Sequence, residues 1–305
     1  MIRRNEYMKP WRDLLTEDLE KANVTIAGIA LDRNASVGKG AGKAPSRIRK
    51  LSGYLPPASK EGVDLTSLKL YDFGNIGHNR TPFSKIEAKA AEILNLHKFS
   101  VFFGGDHSCS IPLEMAFYER SIKDGKIPAI IHIDAHPDIC DVYDGSKFSH
   151  ACPNFRAIER GYKSENVALL AVRGFEIQEL ELFSQHPEIE VIKASQINEL
   201  GLEAIRHLKD KFDKRFSVYL SFDIDAIDPS FAPGTGTPEA FGITSQMAMQ
   251  IITFLVENLP VKTMDIMEVS PKLDSNDITS WTALKLLYEV FASLCAKTPK
   301  IGGKD

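Results

Sequence analysis

Eight short, mostly apolar runs rich in β-branched residues alternate along this chain with longer amphipathic segments. Near-continuous apolar runs, such as Ala-Ile-Ile-His-Ile at 129–133, predict parallel strands that are buried on both faces. The predicted strands are 24–31, 68–73, 99–103, 129–133, 167–172, 189–192, 217–222 and 263–269. The predicted helices are 84–96, 111–122, 153–160, 197–212, 244–257 and 279–294.

Strand–helix–strand repetition predicts the fold class and the number of domains. It implies right-handed crossovers, and hence an α/β fold with a parallel sheet covered by helices on both sides. The 305 residues contain no internal repeat, low-complexity segment or Ser/Pro-rich linker, which favours a single domain over 1–305. Within it we expect an N-terminal extension at 1–22 and a tail at 296–305.

Composition and charge exclude several classes of function. A net charge of −4 and an isoelectric point near 6.1 argue against a nucleic-acid partner bound through a basic surface. No apolar run approaches the roughly 18 residues that a membrane span needs. The polar N-terminus lacks a signal-peptide pattern, so we expect no membrane partner and a cytoplasmic location. The four cysteines form no CxxC pair and are expected to be reduced thiols.

Polar residues follow four of the predicted strands directly. They are Asp106 and His107, then Asp134, His136 and Asp138, then Asp223 and Asp225, and finally Glu268. Ligands of open parallel sheets bind outside the carboxyl ends of the strands. Side chains from these four strand ends are therefore expected to converge on one crevice.

The spacing and residue types indicate a site for two metal ions. Asp134, His136 and Asp138 have i, i+2, i+4 spacing, which places all three on one face of an extended segment. Asp223 and Asp225 repeat this spacing, and four carboxylates gathered at a buried sheet end need positive charge, which two divalent cations supply. A lone Asp-x-Asp more often caps a helix or turn, but Asp-x-His-x-Asp after an apolar strand has no such ordinary explanation. Carboxylates with a minority of imidazoles favour Mn²⁺, with Co²⁺, Ni²⁺ and Fe²⁺ as alternatives.

The motifs together resemble the ureohydrolase family of arginases, agmatinases and formimidoylglutamases. They are Gly-Gly-Asp106-His107-Ser, Asp134-Ala-His136-Pro-Asp138, Ser221-Phe-Asp223-Ile-Asp225-Ala-Ile-Asp228-Pro and Asp265-Ile-Met-Glu268-Val-Ser-Pro271. The resemblance extends from about residue 24 to about residue 294. It implies a three-layer α/β/α fold with a mainly parallel sheet of about eight strands. It also implies a hydrolase of linear amidines that forms trimers or hexamers.

The resemblance also implies roles for individual residues. One manganese ion of the binuclear centre is assigned His107, Asp134, Asp138 and Asp223, and the other is assigned His136, Asp134, Asp223 and Asp225. It implies that His150 is a proton shuttle and that Glu268 holds the guanidinium. Asp138, as a metal-bound carboxylate with a free oxygen, is expected to carry a proton to the leaving amine.

Two segments are similar to the agmatinase branch, namely Pro233-Gly-Thr-Gly-Thr-Pro238 and Ser149-His150-Ala151. The expected reaction is hydrolysis of agmatine to putrescine and urea, a step of polyamine biosynthesis. Alternatives within the class are guanidinobutyrase or another guanidino-acid hydrolase, arginase and formimidoylglutamase. Outside it are a catalytically silent metal-binding scaffold and a two-metal phosphoesterase, although Glu268 would repel a phosphate.

The remaining expectations concern the surroundings of the site. Ile139, Ala151 and Phe241 are expected to give the far end of the pocket an apolar or small lining, and Glu176 is a candidate contact there. For Arg173, at the end of a predicted strand, only an ion pair is expected. His132, inside a predicted strand, is expected to be a buried histidine with satisfied hydrogen bonds.

Overall fold

The computed structural model describes residues 9–297, and 1–8 and 298–305 lie outside the described residues. Within this range eight strands form one sheet in which every neighbouring pair is parallel. The strands are β1 (Val24–Ala30), β2 (Leu70–His78), β3 (Phe99–Phe103), β4 (Ile127–Ile133), β5 (Val167–Val172), β6 (Glu190–Lys193), β7 (Phe216–Asp223) and β8 (Val261–Met267). The predicted eight-stranded α/β fold is thereby confirmed.

Helices cover both faces of this sheet. They are α1 (Ala44–Ser52), α2 (Phe83–Leu94), α3 (Ser110–Lys123), α4 (Pro153–Arg160), α5 (Ile177–Gln185), α6 (Ala194–Leu200), α7 (Leu208–Lys211), α8 (Ser245–Asn258) and α9 (Ile278–Lys297). Buried residues of α1, α6, α7, α8 and α9 share one apolar cluster with the sheet. Those of α2, α3 and α4 form a second cluster with side chains that include Ile29 and Phe102. Because successive strand side chains point to opposite faces, the two clusters form two core layers on either side of the sheet.

Each predicted strand and helix corresponds to an observed element, with differences at the ends and in one helix. The segment predicted as a helix over 197–212 is divided into α6, a 3₁₀ turn at Gly201–Ala204 and α7. Gly201 has a φ of 60°, which a continuous right-handed helix does not allow. The helices α1 and α5 were not predicted, and both are short, with nine residues each.

The described part of the N-terminal extension packs against the core. Trp11 and Leu14 are fully buried, and the Trp11 ring stacks on Phe103 at a centroid distance of 5.9 Å. The Trp11 indole also donates a hydrogen bond to Asp72 over 2.8 Å. At the other terminus, α9 continues to Lys297, and the rest of the expected tail lies outside the described residues.

The strand order explains how distant residues meet. The sheet runs β2-β1-β3-β8-β7-β4-β5-β6, so β3, β8, β7 and β4 are adjacent although they are far apart in sequence. Their carboxyl ends lie along the same edge, and all four predicted polar segments follow these strands. No helix among the described residues is long and apolar enough to cross a membrane.

Candidate metal centre and substrate pocket

The predicted ligands all lie at the carboxyl edge of the four central strands. Among them only His136 has a substantially exposed side chain, at 30%. The loop after β3 approaches the neighbouring chain so closely that it needs its glycines. A Cβ on Gly105 would lie 1.4 Å from the carbonyl oxygen of Leu31, and one on Gly104 would lie 1.7 Å from the sulfur of Met267. The two glycines thus allow His107 to enter the buried end of the sheet.

The first cluster of ligand atoms surrounds Nδ1 of His107. A carboxylate oxygen of Asp223 lies 2.8 Å from this nitrogen, one of Asp134 lies at 3.0 Å and one of Asp138 at 3.4 Å. The set contains the four residues that the family resemblance assigned to one manganese ion. Ligand atoms about 2.1 Å from one octahedral ion are roughly 3 Å apart, so these separations suit a single shared cation.

The second cluster surrounds Nδ1 of His136. Asp225 Oδ2 lies 3.2 Å from this nitrogen and Asp134 Oδ1 lies at 3.4 Å. Asp134 therefore presents one oxygen to each cluster, as a bridging carboxylate does. Asp223, expected as the second bridge, contacts His107 and accepts a hydrogen bond from the backbone N–H of Asp225.

Unpaired buried atoms show that the donor set fits metal ions. Asp134 Oδ2 is buried without a hydrogen-bond donor, although buried carboxylate oxygens almost always have one. Two groups of His and Asp residues share Asp134, and within each group the ligand atoms all lie within 4.8 Å of one another. The arrangement could hold two adjacent cations, and its oxygen and imidazole donors suit borderline-hard divalent ions.

The electrostatics of the cluster favour added positive charge. Burial raises the pKa of Asp223 and Asp138, and neighbouring carboxylates raise both further. Burial alone would lower the pKa of His107, but the adjacent carboxylates of Asp134 and Asp223 bring that pKa well above its ordinary value. The cluster thus takes up protons to offset its negative charge, and divalent cations would supply the same compensation.

His132 belongs to the same cluster, which corrects part of what the sequence predicted. It is fully buried as expected, but neither ring nitrogen forms a hydrogen bond. Its Nε2 lies 3.0 Å from Asp134 Oδ2, which is within ion-pair distance, but the two groups are not oriented for a hydrogen bond. The i, i+2 spacing of His132 and Asp134 places both on one face of β4 and could have indicated this contact.

A buried hydrogen-bond network behind His107 was missed by the sequence reasoning. His107 Nε2 pairs with Ser221 Oγ at 2.9 Å, and Ser221 donates to Asp265 over 2.9 Å. Asp265 also accepts hydrogen bonds from Ser110, Tyr219 and the backbone N–H of Phe222. Such a network fixes the orientation of an imidazole ligand. The position of Asp265 three residues before Glu268 was the available signal.

Glu268 and His150 lie beside the metal cluster. Glu268 is buried with a φ of 59°, and it accepts a hydrogen bond from the backbone N–H of His107 over 2.8 Å. Burial and the Asp106 carboxylate raise the pKa of Glu268 to about 8, so a bound cation would favour its ionised form. His150 Nδ1 lies 3.9 Å from Glu268 Oε1, and its Nε2 is 3.0 Å from Ser36 Oγ. Burial and the nearby histidines lower the pKa of His150 to about 4, so its ring is neutral near pH 7.

A cavity of about 260 Å³ opens onto this site. Its lining includes His136, Asp138 and His150, which connect it to the metal cluster. A larger cavity, about 560 Å³, is lined mainly by α8 and α9 and contains none of the predicted site residues. The chemistry therefore assigns substrate binding to the smaller cavity.

Three glutamates, Glu176, Glu179 and Glu239, line this cavity, whereas an apolar or small lining was expected at its far end. Ala151 lines it as predicted, but Ile139 is buried in the core, and Phe241 is 86% exposed and outside the lining. Glu176 and Glu239 line the cavity instead, and the Tyr143 hydroxyl donates to Glu176 over 3.3 Å. The prediction for Ile139 and Phe241 is therefore wrong, while Glu176 has the predicted position.

Gly174 lines the cavity and lies against both His136 and Glu239. A Cβ at this position would lie 2.8 Å from Cδ2 of His136 and 3.4 Å from Cγ of Glu239. Glycine here lets the imidazole ligand and the pocket wall approach the backbone closely.

Comparison with known proteins agrees with this fold. The chain matches the Arginase family over residues 22–292. It is 34% identical to an agmatinase of Neisseria meningitidis, over 88% of this chain and 87% of the relative. The agmatine ureohydrolase of Thermoplasma volcanium superposes with a TM-score of 0.82 at 26% identity, covering 96% of each chain. The proclavaminate amidino hydrolase of Streptomyces clavuligerus superposes with a TM-score of 0.83 at 27% identity, over 96% of this chain and 98% of that one.

A parallel α/β sheet with paired aspartate–histidine clusters at its carboxyl edge defines a class of metal-assisted hydrolases. Within that class, this chain belongs to the arginase family. The predicted ureohydrolase resemblance and the prediction of a hydrolase are thereby confirmed.

Proposed function

We propose that this protein is a manganese-dependent agmatinase, which hydrolyses agmatine to putrescine and urea. The observation that carries the proposal is the charge of the cavity. The predicted metal ligands His136 and Asp138 line it, and so do the carboxylates of Glu176 and Glu239. Agmatine carries a guanidinium and a terminal amine, so its two positive charges match the carboxylates that line the cavity.

The alternative substrates fit less well because each ends in a carboxylate. Guanidinobutyrate, arginine and formimidoylglutamate would place that carboxylate beside the acidic lining. Like charges in a partly desolvated pocket repel, and no lysine or arginine among residues 9–297 lines this cavity. The names of relatives such as the Neisseria enzyme agree with this choice.

The predicted ligands His107, Asp134, His136, Asp138, Asp223 and Asp225 would hold two Mn²⁺ ions. When bound, a pair of such ions activates water at neutral pH and stabilises developing negative charge. The ion identity is proposed from the oxygen-rich donor set.

The chain's own residues position the substrate and move protons. Glu268 binds the guanidinium through charge-assisted hydrogen bonds and fixes its approach to the cluster. Asp138 lies on the cavity wall, where it can pass a proton to the leaving amine. His150 lines the cavity and forms a hydrogen bond with Ser36. Its neutral ring can accept a proton and release it to solvent. Water adds across the C–N bond, giving urea and putrescine.

The test is a urea-release screen over agmatine, arginine, guanidinobutyrate and guanidinopropionate in the presence of Mn²⁺. We expect kcat/KM for agmatine to exceed that for arginine by at least about 100-fold, or roughly 2.7 kcal/mol. Preference for arginine would contradict the charge argument. Inactivity towards every guanidino compound would refute the proposed function.

Charge-removing variants at the far end locate the source of that preference. Glu239→Gln should lower kcat/KM for agmatine by about tenfold, since a charge-assisted hydrogen bond at a half-exposed position contributes about 1–1.5 kcal/mol. Glu176→Gln should lower it about two- to fivefold, because Glu176 is exposed and an exposed ion pair contributes at most about 1 kcal/mol. Activity on guanidinobutyrate should stay level or rise. Glu181→Gln, an exposed change on α5 outside the cavity, is the control and should change neither.

A cytoplasmic homo-oligomer, a trimer or hexamer, also remains part of the proposal. Sedimentation of the purified protein would test the assembly, and fractionation of cells that produce it would test the location.

A further inference from the structure

The side chain of Arg173 connects three segments of the site without pairing with an acid. It follows β5, and its guanidinium donates five hydrogen bonds of 2.7 to 3.2 Å. All five acceptors are main-chain carbonyl oxygens, namely those of Ala171, Asp225, Ala226, Glu239 and Ala240. Among the described residues Arg173 forms no salt bridge, so the predicted ion pair is wrong.

The carbonyls that Arg173 binds belong to the two parts of the site with different tasks. Asp225 is a predicted ligand of the second metal ion, next to His136. Glu239 lines the cavity. One planar guanidinium donates to the carbonyl of Asp225 at 2.7 Å and to that of Glu239 at 2.8 Å. The spacing between these two backbones is therefore set by a single rigid group.

The main chain at this position adds a third connection. The backbone N–H groups of Arg173 and Gly174 both donate to the carbonyl of Ala135, at 2.8 and 2.9 Å. Ala135 separates Asp134 from His136 and itself donates its N–H to Asp225 Oδ1 over 3.2 Å. Three ligand-bearing or pocket-lining segments thus meet at the end of β5.

We propose that Arg173 is a positioning residue that holds the ligand loop of the second metal ion and the Glu239 wall of the pocket at a fixed separation. The inference about the pocket wall rests on the proposed function, and the inference about the metal ligand does not. Since the four methylenes of agmatine limit its reach, this separation determines whether the guanidinium reaches the metals while the amine reaches Glu239.

Two substitutions separate the geometry of Arg173 from its charge. Lysine keeps the positive charge, but its ammonium has three donors and no planar fork, so it cannot reproduce the five bonds. Methionine keeps the approximate length of the side chain but removes both the positive charge and the hydrogen-bond donors. The matched controls are Arg49→Lys and Arg49→Met. Arg49 makes five hydrogen bonds between α1 and the β2 region and contacts no segment of the site.

The first measurement is Mn²⁺ binding by titration calorimetry, without substrate. Loss of groups that support metal ligands typically weakens metal binding about 10- to 100-fold. We expect a loss of this size for one of the two ions in Arg173→Lys and Arg173→Met, and unchanged binding of both ions in the Arg49 variants. Melting temperatures of all four variants show whether the loss merely follows stability.

The second measurement is kinetics at saturating Mn²⁺. With Arg173→Lys, KM for agmatine should rise by more than KM for guanidinobutyrate, since only agmatine uses Glu239. Wild-type metal affinity and an unchanged ratio of KM values in Arg173→Lys would overturn the proposal, because charge alone would then suffice. If the wild-type enzyme does not use agmatine, the proposed function fails, while the calorimetry still decides the role of Arg173 at the metal ligand.

Discussion

Substitution of Gly174 by alanine should release one metal ion while leaving the fold intact. Gly174 is not among the glycines with positive φ, so an alanine adds no backbone strain there. The new methyl carbon would lie 2.8 Å from Cδ2 and 3.1 Å from Nε2 of His136. Carbon atoms in contact are about 3.5 Å or more apart, so the imidazole must retreat by about 0.7 Å.

That displacement is large compared with what a metal site tolerates. Ligand distances in such sites hold to within about 0.2 Å, and a misplacement near 1 Å can cost about 100-fold in rate. We therefore expect Gly174→Ala to weaken binding of the ion next to His136 and to lower kcat/KM about 100-fold, or roughly 2.7 kcal/mol.

The assay combines calorimetric titration with Mn²⁺, urea release from agmatine and thermal unfolding. Gly42→Ala is the control, because its added methyl would meet Asp32 Cγ at 3.2 Å, away from the predicted ligands. Two ions bound with wild-type affinity and an unchanged kcat/KM in Gly174→Ala would show that His136 does not ligate from this position. A fall in melting temperature with no change in metal binding would equally refute the reasoning.

Three further predictions concern the metals and the guanidinium. Protein reconstituted with manganese should contain two ions per chain by elemental analysis. Removal of the ions with a chelator should lower the melting temperature, because an ion present at 100 times its Kd stabilises the folded protein by about 2.7 kcal/mol per site. One tightly held zinc ion with full activity and no response to manganese would contradict this prediction. Asp134→Asn should weaken binding of both ions and Asp225→Asn mainly that of one, because Asp134 contacts the imidazoles of both His107 and His136, whereas Asp225 contacts only that of His136. Equal, mild losses of affinity in metal titrations of the two variants would disprove the assignment. Glu268→Gln should depress urea release from every guanidino substrate without changing their ranking, whereas a changed ranking would place Glu268 at the far end of the pocket.

The strands and predicted ligands could be derived from sequence because both follow simple periodic rules. Apolar runs identify strands buried on both faces, and the carboxyl ends of parallel strands share one edge. The i, i+2, i+4 spacing then places Asp134, His136 and Asp138 together. No comparable rule covers the loops, so the lining of the pocket's far end was predicted wrongly. Phe241, with a φ of 65°, is exposed to solvent, and Glu239 lines the cavity instead.

The role of Arg173 could not be predicted for a related reason. Its partners are carbonyl oxygens, which every residue carries and which leave no trace in the sequence. The network through Ser221 and Asp265 was hidden differently, since its members come from separate strands and meet only through the pairing of β7 with β8. Hydrogen bonds of these two kinds depend on the folded backbone and not on a local pattern.

The position of β8 in the sheet affects how the enzyme matures during synthesis. This strand, the last in sequence among the described residues, lies between β3 and β7, so those two strands cannot occupy their final places before it is synthesised. Until then β3 and β7 each have an unpaired edge, which is the kind of surface that pairs with other chains and aggregates. His107 and Asp223 follow or end these two strands and come together only once β8 joins them. A nascent or truncated chain that ends before residue 261 therefore carries every predicted metal ligand but lacks the strand that brings them together, so metal loading must follow synthesis of β8.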